Sequence, residues 1–182
     1  MTAATEPTTL LDRYQAYRVR RWLAREQQLA GMLPRWRTRN RRRALVITVA
    51  TALTVLFVTG VLCAFGLEWA ALFAGLCALL FLPSWTMLRI VSMAQDSAPA
   101  ETLDELEVAQ RDTARSIGLT ITQALCVFPM MYLVWSGAIF PAADAFRTAY
   151  AGGVMILATL LAGGCAPAMI LAWSKLDPEP EA

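Results

Sequence analysis

Four long apolar stretches dominate the pattern of hydrophobic and polar positions along the chain. They cover residues 44–65, 69–88, 117–140 and 148–173, and none of them contains an Asp, Glu, Lys or Arg. A helix needs about 20 apolar residues to cross a hydrocarbon core about 30 Å thick. The pattern therefore predicts an all-α, polytopic membrane protein with four transmembrane helices.

The polar segments divide the rest of the chain around these spans. We expect a basic N-terminal segment over residues 1–43, the transmembrane domain over 44–173 and a short tail over 174–182. Between the second and third spans, Thr102 to Glu105 resembles a capping box, with Thr102 as the cap of a helix over about 100–116. That helix is expected to continue into the third span.

Composition agrees with a membrane protein. Of the 182 residues, 57% are hydrophobic and 16% are charged, and the mean hydropathy is +0.48. A soluble domain of this length would be markedly more polar.

Charge is unevenly distributed, and this predicts an orientation. Eleven arginines against three acids give residues 1–43 a net charge of +8, whereas the remainder carries −6. Because basic residues that flank a span stay on the cytoplasmic side, we expect both the N-terminus and the C-terminus on the cytoplasmic side of a bacterial inner membrane. Arg147 is the one basic residue on the opposite side.

The basic segment is expected to contact lipid headgroups as an amphipathic helix on the membrane surface, with arginines on phosphates and aromatic rings at headgroup depth. Nucleic acid is the alternative ligand for clustered arginines, but the positive-inside bias already explains basic residues before a span. The predicted headgroup contacts are Trp22, Arg35, Trp36, Arg37, Arg39, Arg41, Arg42 and Arg43.

The connection over residues 90–116 has the opposite charge, −4, from six acids and two arginines. One interpretation is a docking helix whose apolar side chains meet a membrane-protein partner or a second copy of the chain. The alternative is a solvated, charged loop. The candidate docking residues are Leu103, Asp104, Glu105, Leu106 and Glu107.

Small residues at four-residue spacing indicate where helices approach each other in lipid, because close packing drives their association there. Such residues occur in the second and fourth spans. The predicted packing positions are Ala70, Ala74, Ala78, Ala158, Ala162, Gly163 and Ala166.

The sequence offers no constellation for catalysis or for a cofactor. Histidine is absent, the four cysteines lie singly in the apolar stretches, and no charged residue lies in mid-span. Small four-helix multidrug exporters rely on a Glu in the first span, and quinone-linked thiol oxidoreductases on a CxxC pair; the chain has neither. We therefore expect no enzymatic activity, no metal and no cofactor.

These features predict a small protein that acts by binding protein or lipid, as an accessory, assembly or regulatory component of a bacterial inner-membrane system. The Arg- and Ala-rich composition resembles that of high-GC bacteria. One alternative is a homo-oligomeric channel or carrier for an uncharged solute, lined by the threonines of the first span, Gln123 and the glycines of the fourth span. Another is an envelope exclusion factor of a phage or plasmid.

Overall fold

The computed structural model describes residues 10–30, 36, 38–92, 96, 98–99, 102–139 and 144–174. Within these ranges the regular structure is entirely helical, which confirms the predicted all-α class. The α-helices are α1 (Leu10–Ala30), α2 (Arg39–Ala64), α3 (Ala71–Val91), α4 (Glu105–Ile139) and α5 (Ala145–Ser174), and a 3-10 turn (Glu68–Ala70) precedes α3.

Helices α2 to α5 are each long and apolar enough to cross a membrane, as predicted. All four are longer than their apolar stretches, α4 by the largest margin. Helix α2 begins at Arg39, so its first five residues precede the apolar run. Helix α4 has 35 residues, and at about 1.5 Å per residue it is about 52 Å long, well beyond a core of about 30 Å. Its N-terminal turns therefore extend out of the membrane.

The end of α2 and the start of α5 follow from local sequence. Helix α2 ends in a Schellman motif, in which Gly66 N–H donates to the Cys63 carbonyl at 3.0 Å and Leu67 N–H to the Leu62 carbonyl at 3.1 Å. Gly66 has a φ of +91°, a left-handed conformation that glycine adopts without steric cost. At the start of α5, Asp144 Oδ1 accepts the Phe146 N–H at 3.0 Å.

The predicted cap of the loop helix was wrong by two residues. The Thr102 hydroxyl donates to the Pro99 carbonyl at 2.8 Å and so closes a turn ahead of the helix. Asp104 is the cap instead, since its Oδ1 accepts the Glu107 N–H at 2.6 Å. Both Thr102 and Asp104 are residue types that can cap a helix N-terminus. Because the Thr102 hydroxyl is already bonded to the Pro99 carbonyl, Asp104 takes the capping position.

The four long helices form a row in the order α3, α2, α5, α4, with most contacts between neighbours in that order. Helices α2 and α5 are in the middle. Half of the apolar stretch of α5 (50%) is buried within the protein, but only 11% of that of α4. Among the described residues, α5 is the only helix with which α4 makes more than a few contacts. The outer helices therefore present most of their surface to lipid.

Helices α4 and α5 approach closely where both carry small residues. A Cβ on Gly118 would lie 2.9 Å from the Gly163 carbonyl oxygen and 3.0 Å from Cδ of Pro167, and a Cβ on Gly163 would overlap the Thr122 hydroxyl. Gly60 of α2 makes a similar approach to Met155 of α5. In lipid, this contact between backbones replaces the hydrophobic drive that holds soluble helices together.

We predict that Gly163→Ala destabilises the protein, by about 1–3 kcal/mol, because the new methyl group overpacks the α4–α5 contact. Gly164→Ala is the matched control, since a Cβ there meets nothing within 4 Å. Thermal unfolding of the purified proteins in a mild detergent measures both. Equal melting temperatures for the two variants would contradict the close contact at Gly163.

Candidate functional site at the arginine-rich end

One end of the helix row collects the basic side chains, and we call it the arginine end. The alternating directions of the helices bring together there the N-termini of α2 and α4 and the C-termini of α3 and α5. Its members that make contacts are Arg39, Arg41, Arg42, Arg43, Arg89, Arg111 and Arg115. The C-termini of α3 and α5 carry partial negative charge, which favours cations beside them.

Three of these arginines hold the connection between α3 and α4. Arg111, with 6% of its surface exposed, donates to the Ala98 carbonyl at 2.7 Å and contacts Asp112 Oδ1 at 2.9 Å. Arg115 donates to the Asp96 carbonyl at 2.7 Å, and Arg89 lies 3.4 Å from Asp96 Oδ2. These bonds fix the base of the N-terminal part of α4, residues 105–116, against α3; we call this part the α4 extension.

Three tryptophans at this end each carry an arginine guanidinium over the ring. The distances from guanidinium carbon to ring centroid are 4.7 Å for Arg43 on Trp173, 5.4 Å for Arg41 on Trp36 and 5.7 Å for Arg89 on Trp85. Tryptophan prefers the membrane–water interface, and a cation on its face adds to that preference. The pairs therefore mark the depth of one interface.

The predicted headgroup residues are differently placed. Arg39 and Arg41 are exposed, whereas Arg42 is buried at 3% exposure and Arg43 is half-buried against Trp173. Trp22 of α1 is half-buried, as is Trp36, which packs against the core of α2, α3 and α5. Arg35 and Arg37 lie outside the described residues.

The predicted docking residues lie together at the start of α4. Leu106 is 66% exposed, Asp104 and Glu105 are exposed, and Leu103 and Glu107 are half-buried. This places an apolar side chain among carboxylates on the part of α4 beyond the membrane.

Of the predicted packing positions, those of α5 line its contacts. Ala158 packs with Leu56 of α2 and Cys77 of α3, and Gly163 meets α4. Ala166 is buried and Ala162 is half-buried. Ala70 is buried in the 3-10 turn with Cys63 and Ala151, Ala74 is half-buried, and Ala78 is exposed.

An apolar groove of about 450 Å³ lies between α2 and α4, with α5 as its floor. It exists because α4 packs on α5 and leaves a gap to α2. Its few hydroxyls are already bonded to their own helix, Thr54 to the Ala50 carbonyl at 2.9 Å and Thr159 to the Ile156 carbonyl at 2.8 Å. The lining is Ala50, Leu53, Thr54, Phe57, Ile121, Leu125, Ala158, Thr159, Ala162, Ala166, Met169 and Ile170.

The opposite end of the row is less basic. A cavity of about 350 Å³ there is lined partly by Asp144, Arg147 and Tyr150. Among the described residues, no three His, Cys, Asp or Glu side chains come together in a way that could hold a metal ion.

Sequence reasoning missed the structural roles of Arg111 and Arg115, which it read as loop charges. Their bonds go to backbone carbonyls of the preceding connection, and no side-chain pattern signals such a partner. The Trp85–Arg89 contact was detectable, because residues four apart on a helix are neighbours. The groove has no signal in the sequence.

We predict that Arg111→Leu destabilises the protein by about 1.5–3 kcal/mol, because it leaves the buried Ala98 carbonyl without its charged donor. Arg20→Leu is the control for the loss of one positive charge, since Arg20 is exposed on α1. Thermal unfolding in detergent, together with the rate of protease cleavage between α3 and α4, reports the effect. Unchanged cleavage in Arg111→Leu would show that the bond does not hold the connection.

Comparisons of the chain with family models, with curated proteins and with solved structures find no match. Four apolar helices are compatible with a small integral membrane protein.

Proposed function

We propose that this chain is a non-enzymatic component of a bacterial inner membrane, with an accessory, assembly or regulatory role exercised by binding another membrane protein. The α4 extension is the proposed docking element, and a membrane protein with a basic cytoplasmic region is the proposed partner. Both ends of the chain are proposed to lie in the cytoplasm.

The exposed Leu106 on a fixed helix is the observation that carries the proposal. A flexible acidic loop would lose conformational entropy on binding, whereas the extension is already helical and is held at its base by Arg111 and Arg115. Leu106 follows the exposed Asp104 and Glu105 and so offers a small apolar contact next to charged side chains, a combination that is usual in interfaces.

The proposed orientation is supported by the positions of the basic side chains in the folded chain. The arginine end gathers arginines from α2, α3 and α4, while Arg147 of α5 lies at the other end. Basic residues close to span ends remain on the cytoplasmic side. The arginine end is therefore the proposed cytoplasmic end, and the α4 extension projects from it.

We predict that Leu106→Asp abolishes co-purification of the partner from cross-linked native membranes, because it removes the apolar contact and adds a charge at its centre. Ala24→Asp is the control, since it adds the same charge at an exposed position of α1, outside the docking element. Both variants should reach wild-type abundance in the membrane. The same set of cross-linked proteins in Leu106→Asp and wild type would argue against docking through α4.

The liposome test distinguishes the channel alternative. Pure protein in sealed vesicles should leave their permeability to ions and small uncharged solutes unchanged if it acts by docking. Protein-dependent leakage would instead support the pore.

For orientation, we predict that Ala145→Cys reacts with a membrane-impermeant maleimide in intact cells and that Ala109→Cys reacts only after lysis. Both positions are exposed and lie at opposite ends of the row. The four natural thiols are buried or half-buried within spans, so their background is low. The reverse labelling pattern would invert the proposed topology.

A further inference from the structure

We propose that the groove between α2 and α4 binds one acyl chain of an anionic phospholipid from the leaflet at the arginine end, with the lipid phosphate on Arg43. This site is separate from the docking element on the α4 extension. It would tie the protein to a lipid class rather than to the bilayer in general.

Helix geometry places Arg43 at the mouth of the groove. Ala50, Thr54 and Phe57 line one wall, and Arg43 precedes Ala50 by seven residues, or two turns, so it lies on the same face of α2. Arg39 is one further turn out on that face and is exposed. The apolar wall thus ends in a basic stripe.

The floor ends at the same place. Ala166 and Ile170 of α5 line the groove, and Trp173 follows Ala166 by seven residues on the same face. The Arg43 guanidinium lies 4.7 Å from the Trp173 ring centroid, so one cation–aromatic pair joins the two helices beside the mouth. This contact holds the guanidinium beside the indole of Trp173.

The donor chemistry of Arg43 fits a phosphate. Its Nε is buried and has no hydrogen-bond partner among the described residues. A polar group near the hydrocarbon is costly without a partner, because little water is available there. A phosphate diester offers two oxygens that a guanidinium binds in bidentate fashion. Phosphatidylglycerol brings no cation with that phosphate, whereas the choline of phosphatidylcholine would place a positive charge beside Arg43 and Arg39.

The dimensions and polarity fit an acyl chain. From Arg43 to Phe57 is fourteen residues, about 21 Å along α2, which exceeds half of a hydrocarbon core of about 30 Å and so reaches its midplane. The hydroxyls of Thr54 and Thr159 are satisfied within their helices and offer a ligand no free donor. A methylene chain therefore matches the groove better than a polar solute does.

The test uses purified full-length protein in a mild detergent, titrated with phosphatidylglycerol or with phosphatidylcholine of the same acyl chains. Native mass spectrometry counts bound lipid, and the rise in melting temperature reports binding independently. We expect one tightly bound phosphatidylglycerol and at least about tenfold weaker phosphatidylcholine, since a tenfold change corresponds to about 1.4 kcal/mol.

Two variants test the two parts of the site. Arg43→Gln should weaken phosphatidylglycerol binding about tenfold or more, and Arg20→Gln, which removes an exposed charge on α1, should not. Thr54→Phe fills the groove from an exposed position and should lower binding of both lipids, whereas Thr51→Phe, at an exposed position outside the lining, should not.

Three results would overturn the inference. Equal affinity for both lipids in wild type and in Arg43→Gln would show that the headgroup is not recognised. Unchanged binding in Thr54→Phe would place the acyl chain elsewhere. A dimer that Thr54→Phe dissociates, without any bound lipid in the monomer, would assign the groove to a helix of a second copy.

Discussion

The need to satisfy every backbone hydrogen bond without water governs this structure. Inside a bilayer only helices and closed barrels meet that need, so the four apolar stretches become helices whatever their side-chain propensities. Even the β-branched residues that fill α2 do not prevent it. Threonines follow the same requirement, since Thr48 and Thr59 donate to carbonyls one turn earlier in α2 and so present little polarity to lipid or to neighbouring helices.

Once helices are obligatory, their association depends on how closely they can approach, because lipid is as apolar as leucine. Gly118 and Gly163 bring α4 against α5, and Gly60 brings α2 against α5 from the other side. Helix α5 is therefore the centre of the row. The same arrangement leaves α4 apart from α2, and the apolar groove is a direct result of that separation.

The arginine end shows how a membrane interface can carry both orientation and structure. A positive flank explains why arginines precede α2, but the folded chain uses its arginines in several ways. Arg111 and Arg115 bind carbonyls of the connection before α4, and Arg43 lies on Trp173. Arg111 and Arg115 hold the base of the proposed docking element, and Arg43 lies at the mouth of the proposed lipid site. The two proposals thus depend on different arginines of one interface.

The sequence by itself determined the four spans, the helical class, the end of α2 just before Gly66 and the concentration of positive charge before the first span. These follow from local hydrophobicity, backbone sterics and charge. It also singled out Gly163 as a small residue of the kind that marks a contact. Tertiary structure alone decided which helices are neighbours, that Ala78 is exposed while Ala158 is buried, and that Arg42 is covered. It also decided that Arg111 binds the Ala98 carbonyl. The physical reason is that a helix in lipid makes all its backbone hydrogen bonds within itself, so the pattern of apolar residues is enough to predict its insertion. The choice of neighbouring helix depends instead on close contacts between residues that are distant in the chain.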